Sequence, residues 1–151
     1  MTISSARVYR YALPLTEPLP VGGTTLTERE GAVLCLRDAE GRAGWGEAAP
    51  LPGFSAESLD QALHALGRVA DQIEGTMLPD AGLTEVWEAV SKEARPASVQ
   101  FALDSALLAL WAEGHNETVH GALGADHSHL DLNGLIQDDV MEVEAGAQRL
   151  Q

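Results

Sequence analysis

Few residues in this chain have the types and spacing that chemistry requires. Glu47 ends the run Gly44-Trp45-Gly46-Glu47, just before Pro50-Leu51-Pro52-Gly53-Phe54-Ser55. A carboxylate there is either an active-site acid or a conformational anchor bonding to loop backbone, and the anchor is the preferred reading. His127-x-His129 on a strand would share one face, but no further ligands are spaced to complete a metal site. Surface or packing roles are expected for these two and for His64, His115 and His120. Asp138-Asp139 suits a helix start, where the dipole favours negative charge. Asp104-Ser105 reads as a packed polar pair inside a helix. Cys35, in Ala32-Val33-Leu34-Cys35-Leu36, reads as a buried small hydrophobe. There is no Gly-x-Ser-x-Gly, no phosphate-binding loop and no His-Glu-x-x-His. Gly44-x-Gly46 lacks the third glycine and the helix start of a dinucleotide fingerprint. No catalytic residue and no metal ligand is assigned.

The elements that would position these residues read as α+β. Residues 3–15 alternate as a strand, with Pro14 at its end or on an edge. Residues 16–28 carry two prolines, Gly22-Gly23 and four threonines, and read as a flexible loop long enough to contact a ligand. Strands follow over 31–37 and 42–47, joined by a turn in which Gly41 supplies positive φ. Together they predict a three-stranded antiparallel meander. Pro50 and Pro52 stiffen the elbow and Gly53 lets it turn. Phe54 is then held on a rigid loop, as a core plug or as an apolar wall for a ligand.

Ser55 is the expected N-cap of the first helix, with Glu57 in its first turn. Leu59, Leu63, Leu66, Ala70 and Ile73 are its apolar stripe, and Gly75 its stop. A second helix is predicted over 84–93. A third opens at Pro96, carries Val99, Leu103, Ala106, Leu107, Leu110 and Trp111, and ends at Gly114. Phe101 and Leu108 widen that stripe, which predicts burial on two faces. Residues 116–125 form a short helix or turn, 129–136 a strand, and 138–151 the start of a helix. That last strand and helix have no partner of their own and look like the first unit of an unfinished α/β array.

The 151 residues carry a net charge of −14, which repels phosphate backbones and argues against nucleic-acid binding. No apolar run is long enough to cross a bilayer, so no membrane partner is expected. Residues 1–10 lack the apolar segment of a secretory signal. With a single cysteine, no internal disulfide can form, and the cytoplasm is the expected compartment.

Three segments in order resemble the o-succinylbenzoate synthase family of the enolase superfamily. They are Gly44-Trp45-Gly46-Glu47 followed by Pro50-Leu51-Pro52-Gly53-Phe54-Ser55, Pro96-Ala97-Ser98-Val99-Gln100-Phe101-Ala102-Leu103-Asp104-Ser105-Ala106, and Leu132-Asn133-Gly134-Leu135. The resemblance implies a capping domain over residues 1–114, with meander and helical bundle. Residues 115–151 would be a linker and the first β-α unit of a truncated (β/α) barrel, a fold that needs about 250 residues. It implies a lyase that dehydrates a cyclohexadiene carboxylate with Mg²⁺ to give o-succinylbenzoate for menaquinone synthesis. It further implies that the loops at 16–28 and 51–55 face a small carboxylate substrate, with Leu51, Gly53 and Phe54 as pocket wall. Asn133, at a barrel-strand end, would touch substrate or make a structural hydrogen bond to a neighbouring strand. The family's Lys-x-Lys pair and metal carboxylates would lie on later barrel strands of a longer protein. Lys92 is in the cap and is no substitute, so the chain alone is expected to be inactive. A dipeptide epimerase or N-acylamino-acid racemase is the nearest alternative, because one fold hosts several reactions. A non-catalytic α+β binding module is the alternative of a different class.

Overall fold

A computed structural model describes residues 1–79, 82–90 and 94–125. Three strands form an antiparallel meander in the order β1-β2-β3: β1 (Ile3–Val21), β2 (Thr24–Asp38) and β3 (Ala43–Ala48). Among the described residues four helices follow: α1 (Leu59–Ile73), α2 (Leu83–Val90), α3 (Ala97–Gly114) and α4 (Val119–Ala122). The strand and helix expected over 129–151, with Asn133, His127, His129 and Asp138-Asp139, lie outside the described residues.

The loop expected over 16–28 is instead the distal half of a long hairpin. Leu19 pairs with Leu26, Pro20 with Thr25 and Val21 with Thr24. Gly22 and Gly23 make the two-residue turn, with φ of 56° and 80°. Positive φ at both central residues matches the right-handed strand twist. The prolines are tolerated because β1 is an edge strand and its register shifts between Pro14 and Leu19. The threonines favour extended backbone.

One face of the sheet makes the core. Ile3, Leu34, Leu36 and Ala48 are buried against Ala62, Leu66, Val69 and Ile73 of α1 and Ala102, Leu103, Ala106 and Leu110 of α3. Burying each large side chain is worth roughly 1.5–3 kcal/mol before entropy is subtracted. Cys35, on the opposite sheet face, is buried and unpaired as expected. That outer face also carries Tyr9 and Trp45, both half exposed, with ring centroids 6.2 Å apart.

Gly44 and Gly46 let α3 lie directly on β3. A Cβ on Gly46 would sit 1.8 Å from the Ala102 carbonyl oxygen, and one on Gly44 2.0 Å from that of Ala106. The Gly-x-Gly pair therefore serves helix packing. Phe101 departs from expectation. It is 66% exposed and Leu108 is only half buried, so the main buried face of α3 is that of Val99, Leu103, Ala106 and Leu110; on the other side Ala112, near the helix end, is buried. The small Ala102 and Ala106 set that face, by admitting the strand closely.

The first helix starts three residues later than expected. Ser58, not Ser55, is the N-cap, in a capping box with Gln61: Gln61 N donates to Ser58 Oγ at 3.3 Å and Ser58 N donates to Gln61 Oε1 at 2.8 Å. Glu57 consequently lies outside the helix. Gly75, with φ of 83°, follows the C-cap as expected, and its N–H donates to the Ile3 carbonyl at 2.8 Å. That bond ties the chain start to the end of α1. In the β2–β3 turn, Asp38 Oδ2 accepts from Arg42 Nε at 2.5 Å and Oδ1 accepts from the backbone of Glu40 and Arg42. No described helix is long and apolar enough to cross a membrane.

Candidate functional site

The elbow after β3 folds on itself. Phe54 N and Ser55 N donate to the Leu51 carbonyl at 3.1 and 2.9 Å, and Leu51 N donates to Ser55 Oγ at 2.9 Å. Ser55 is thus spent on closing the elbow, which is why it does not cap α1. Gly53 takes φ of 80°. Leu51 is half buried, whereas Phe54 is 73% exposed. Phe54 is therefore not a core plug in this structure; its ring stands free on a rigid turn.

The hairpin tip rests on this elbow. A Cβ on Gly22 would approach Pro52 O to 2.5 Å and Gly53 Cα to 2.7 Å. Only glycine permits that approach. The two segments expected to face a ligand, 16–28 and 51–55, are thus brought together. Between them is a cleft of ≈ 390 Å³, lined among others by Leu26, Arg29, Pro52, Gly53, Glu57 and Leu59.

Glu47 anchors a side chain, not the loop backbone: its Oε1 accepts from the Tyr11 hydroxyl at 2.5 Å, across the exposed face of the sheet. Burial, together with this bond to a carboxylate, pushes the Tyr11 phenol up to about 12. The loop backbone is held instead by Arg29, which sequence reasoning missed. Its Nη1 donates to the Pro50 and Glu30 carbonyls, both at 3.1 Å, and its Nη2 to that of Ala49. Its partner carbonyls lie 20 and 21 residues away in the chain and carry no residue-type signature, so no sequence signal marks it.

Glu57 links the cleft to α3. Ser98 holds its carboxyl below the ordinary carboxylate value, its backbone N–H donating to Glu57 Oε1 at 2.9 Å. Asp104 accepts from Gln100 Nε2 at 2.8 Å, a packed polar role as expected. His64, His115 and His120 are exposed. Among the described residues, no three His, Cys, Asp or Glu side chains converge to hold a metal ion. The described donor set therefore does not fit Mg²⁺. The cleft has a mixed lining, with Leu26, Pro52 and Leu59 beside Glu28, Arg29, Glu30 and Glu57; of the three expected wall residues it includes Gly53, whereas Leu51 and Phe54 are not part of that lining.

Residues 3–110 match the family described as MenC, N-terminal domain. An o-succinylbenzoate synthase from Salmonella arizonae is 47% identical over 62 residues, 41% of this chain and 19% of the relative. The chain thus spans about a fifth of the length of the curated relatives it matches. An enolase-superfamily protein from Listeria innocua superposes with a TM-score of 0.79 at 21% identity, over 99% of this chain and 42% of that one. A dipeptide epimerase from Cytophaga hutchinsonii, in complex with Mg and the dipeptide D-Ala-L-Val, gives 0.74 at 22%, over 85% and 35%. These structural likenesses show that the chain shares its fold with the corresponding parts of those proteins. The family match, running from the first strand to near the end of α3, shows that the chain belongs to the MenC N-terminal domain family.

Proposed function

We propose that this chain is the capping part of an o-succinylbenzoate synthase, a lyase dehydrating a cyclohexadiene carboxylate in menaquinone synthesis. Residues 1–114 form the cap, and 115–151 a linker and first barrel unit of a longer protein. In this reading Leu51, Gly53 and Phe54 wall the pocket, and Asn133 lies at its barrel side. The observation that carries it is the seating of the hairpin tip on the elbow, which leaves Phe54 exposed on a rigid support. An aromatic ring displayed in that way is suited to excluding water from a small carboxylate substrate. The 47% identity to o-succinylbenzoate synthase supports this chemistry over epimerisation.

The proton-moving lysines and the Mg²⁺ carboxylates belong, in this proposal, to later barrel strands. Mg²⁺ would supply charge stabilisation to an ene-diolate there. The cap's own residues bind and orient the substrate and keep solvent out. The single cysteine fits a reducing compartment, and the cytoplasm is the proposed location. The test is to express the full reading frame and assay it with Mg²⁺ on both a cyclohexadiene carboxylate and L,L- or L,D-dipeptides. Formation of o-succinylbenzoate supports the proposal; epimerisation without dehydration refutes it. The 151-residue chain alone should show no turnover.

A further inference from the structure

We propose that Arg29 is a positioning residue that clamps the β1–β2 hairpin and the Pro50–Ser55 elbow into a single rigid lid. The inference rests on the reading that this wall faces substrate. The β2–β3 ladder ends at the pair Ala32–Ala48, so the carbonyls of Ala49 and Pro50 have no strand partner. Buried backbone carbonyls need donors, and Pro50 and Pro52 contribute none. Arg29 supplies them from one planar guanidinium, reaching Ala49, Pro50 and its own neighbour Glu30. Among the described residues, no carboxylate lies within ion-pair distance of it. Its charge is therefore aimed at carbonyl dipoles.

This attachment is at the cleft, whose lining includes Arg29, Pro50 and Gly53. A second is at the hairpin turn, where Gly22 and Gly53 meet backbone to backbone. One attachment would leave the hairpin free to pivot over the elbow. Two, at different points along the hairpin, fix their relative position. A guanidinium is required because its rigid fork addresses several carbonyls at once, whereas an ammonium is a point charge on a flexible stem. Residues 21–25 and 51–55 should accordingly open together.

Hydrogen exchange on the chain tests this. Arg29→Met, which keeps an apolar stem, is expected to speed exchange about tenfold in both 21–25 and 51–55, with α3 amides unchanged as the measure of intact folding. Arg29→Lys should fall between Met and wild type. Faster exchange in the elbow alone, or in neither segment, overturns the clamp. In the protein from the full reading frame, Arg29→Met should raise KM about tenfold with kcat within about twofold, as for lost binding-site positioning. Unchanged KM alongside lowered stability would reduce Arg29 to a structural residue and overturn the positioning role. Coupled opening in a wild-type protein that lacks dehydratase turnover would uphold the clamp and refute only the substrate reading.

Discussion

Adding one methyl group at Gly46 should unseat α3 from the sheet. The new Cβ would lie 1.8 Å from the Ala102 carbonyl oxygen and 2.7 Å from its carbon, where real Cβ contacts do not fall below 3.0 Å. Both atoms are backbone in the middle of α3, so no side chain can rotate away. The strand or the helix must retreat by about 1.2 Å, the difference between 3.0 and 1.8 Å. That retreat loosens the contacts of Leu34, Leu36, Leu103 and Leu110, all fully buried. Overpacking costs typically 1–3 kcal/mol, and a rigid backbone obstacle places this change at about 3. For a domain of this size that is a fall in Tm of roughly 6–12 °C. Urea denaturation followed by circular dichroism gives the free energy, with Gly67→Ala as the contrast. Gly67 is inside α1 with nothing within 4 Å of its added Cβ, and alanine there should stabilise by ~0.5–1 kcal/mol. Equal stabilities for Gly46→Ala and wild type would refute the close-packing argument.

Other substitutions probe separate features. Ser58→Ala removes the α1 capping box and should cost ~1 kcal/mol in thermal or urea denaturation. Asp38 titrates low: burial raises its pKa, but the Arg42 guanidinium and the backbone N–H groups of Arg42 and Glu40 outweigh that. The fold therefore gains stability from Asp38 above the unfolded carboxyl value of about 3.9 and loses it as pH falls towards the lower folded value. Stability measured from pH 7 to 2 should decline less for Asp38→Asn than for wild type. The Tyr11 phenol should ionise near pH 12 in an absorbance titration and earlier in Glu47→Gln; its contribution to stability is complete below about 10 and fades as pH rises through about 12. Phe54→Ala should leave chain stability unchanged, because the ring is 73% exposed. In the full-length enzyme it should weaken substrate binding about tenfold or more, the worth of burying one aromatic ring.

The core strands and helices were legible because their patterns are local. Leu34 and Leu36 alternate towards α1 and α3, and Ala70 and Ile73 recur at helical spacing before the Gly75 stop. The distal hairpin was not. Pro18, Pro20 and Gly22-Gly23 resemble a loop when read singly, yet a glycine pair between extended segments is also a two-residue hairpin turn. Ser55 and Ser58 compete for one cap. The residue three places after Ser58 is Gln61, which decides it, and the elbow's demand for the Ser55 hydroxyl appears only in three dimensions. Phe101 was misjudged because apolar character alone does not say which side of a helix has a neighbour. Of the candidate site, the elbow was readable from its prolines. Arg29 was not, because its partners are carbonyls, which carry no residue-type signature.

The central claim is that the hairpin tip and the elbow together wall the pocket of a longer enzyme. The most direct measurement is hydrogen exchange on the protein from the full reading frame, with and without o-succinylbenzoate and Mg²⁺. Ligand-dependent protection of both residues 21–25 and 51–55 is the predicted result. Protection confined to the remainder of the protein, with both segments exchanging at their free rates, would contradict the account.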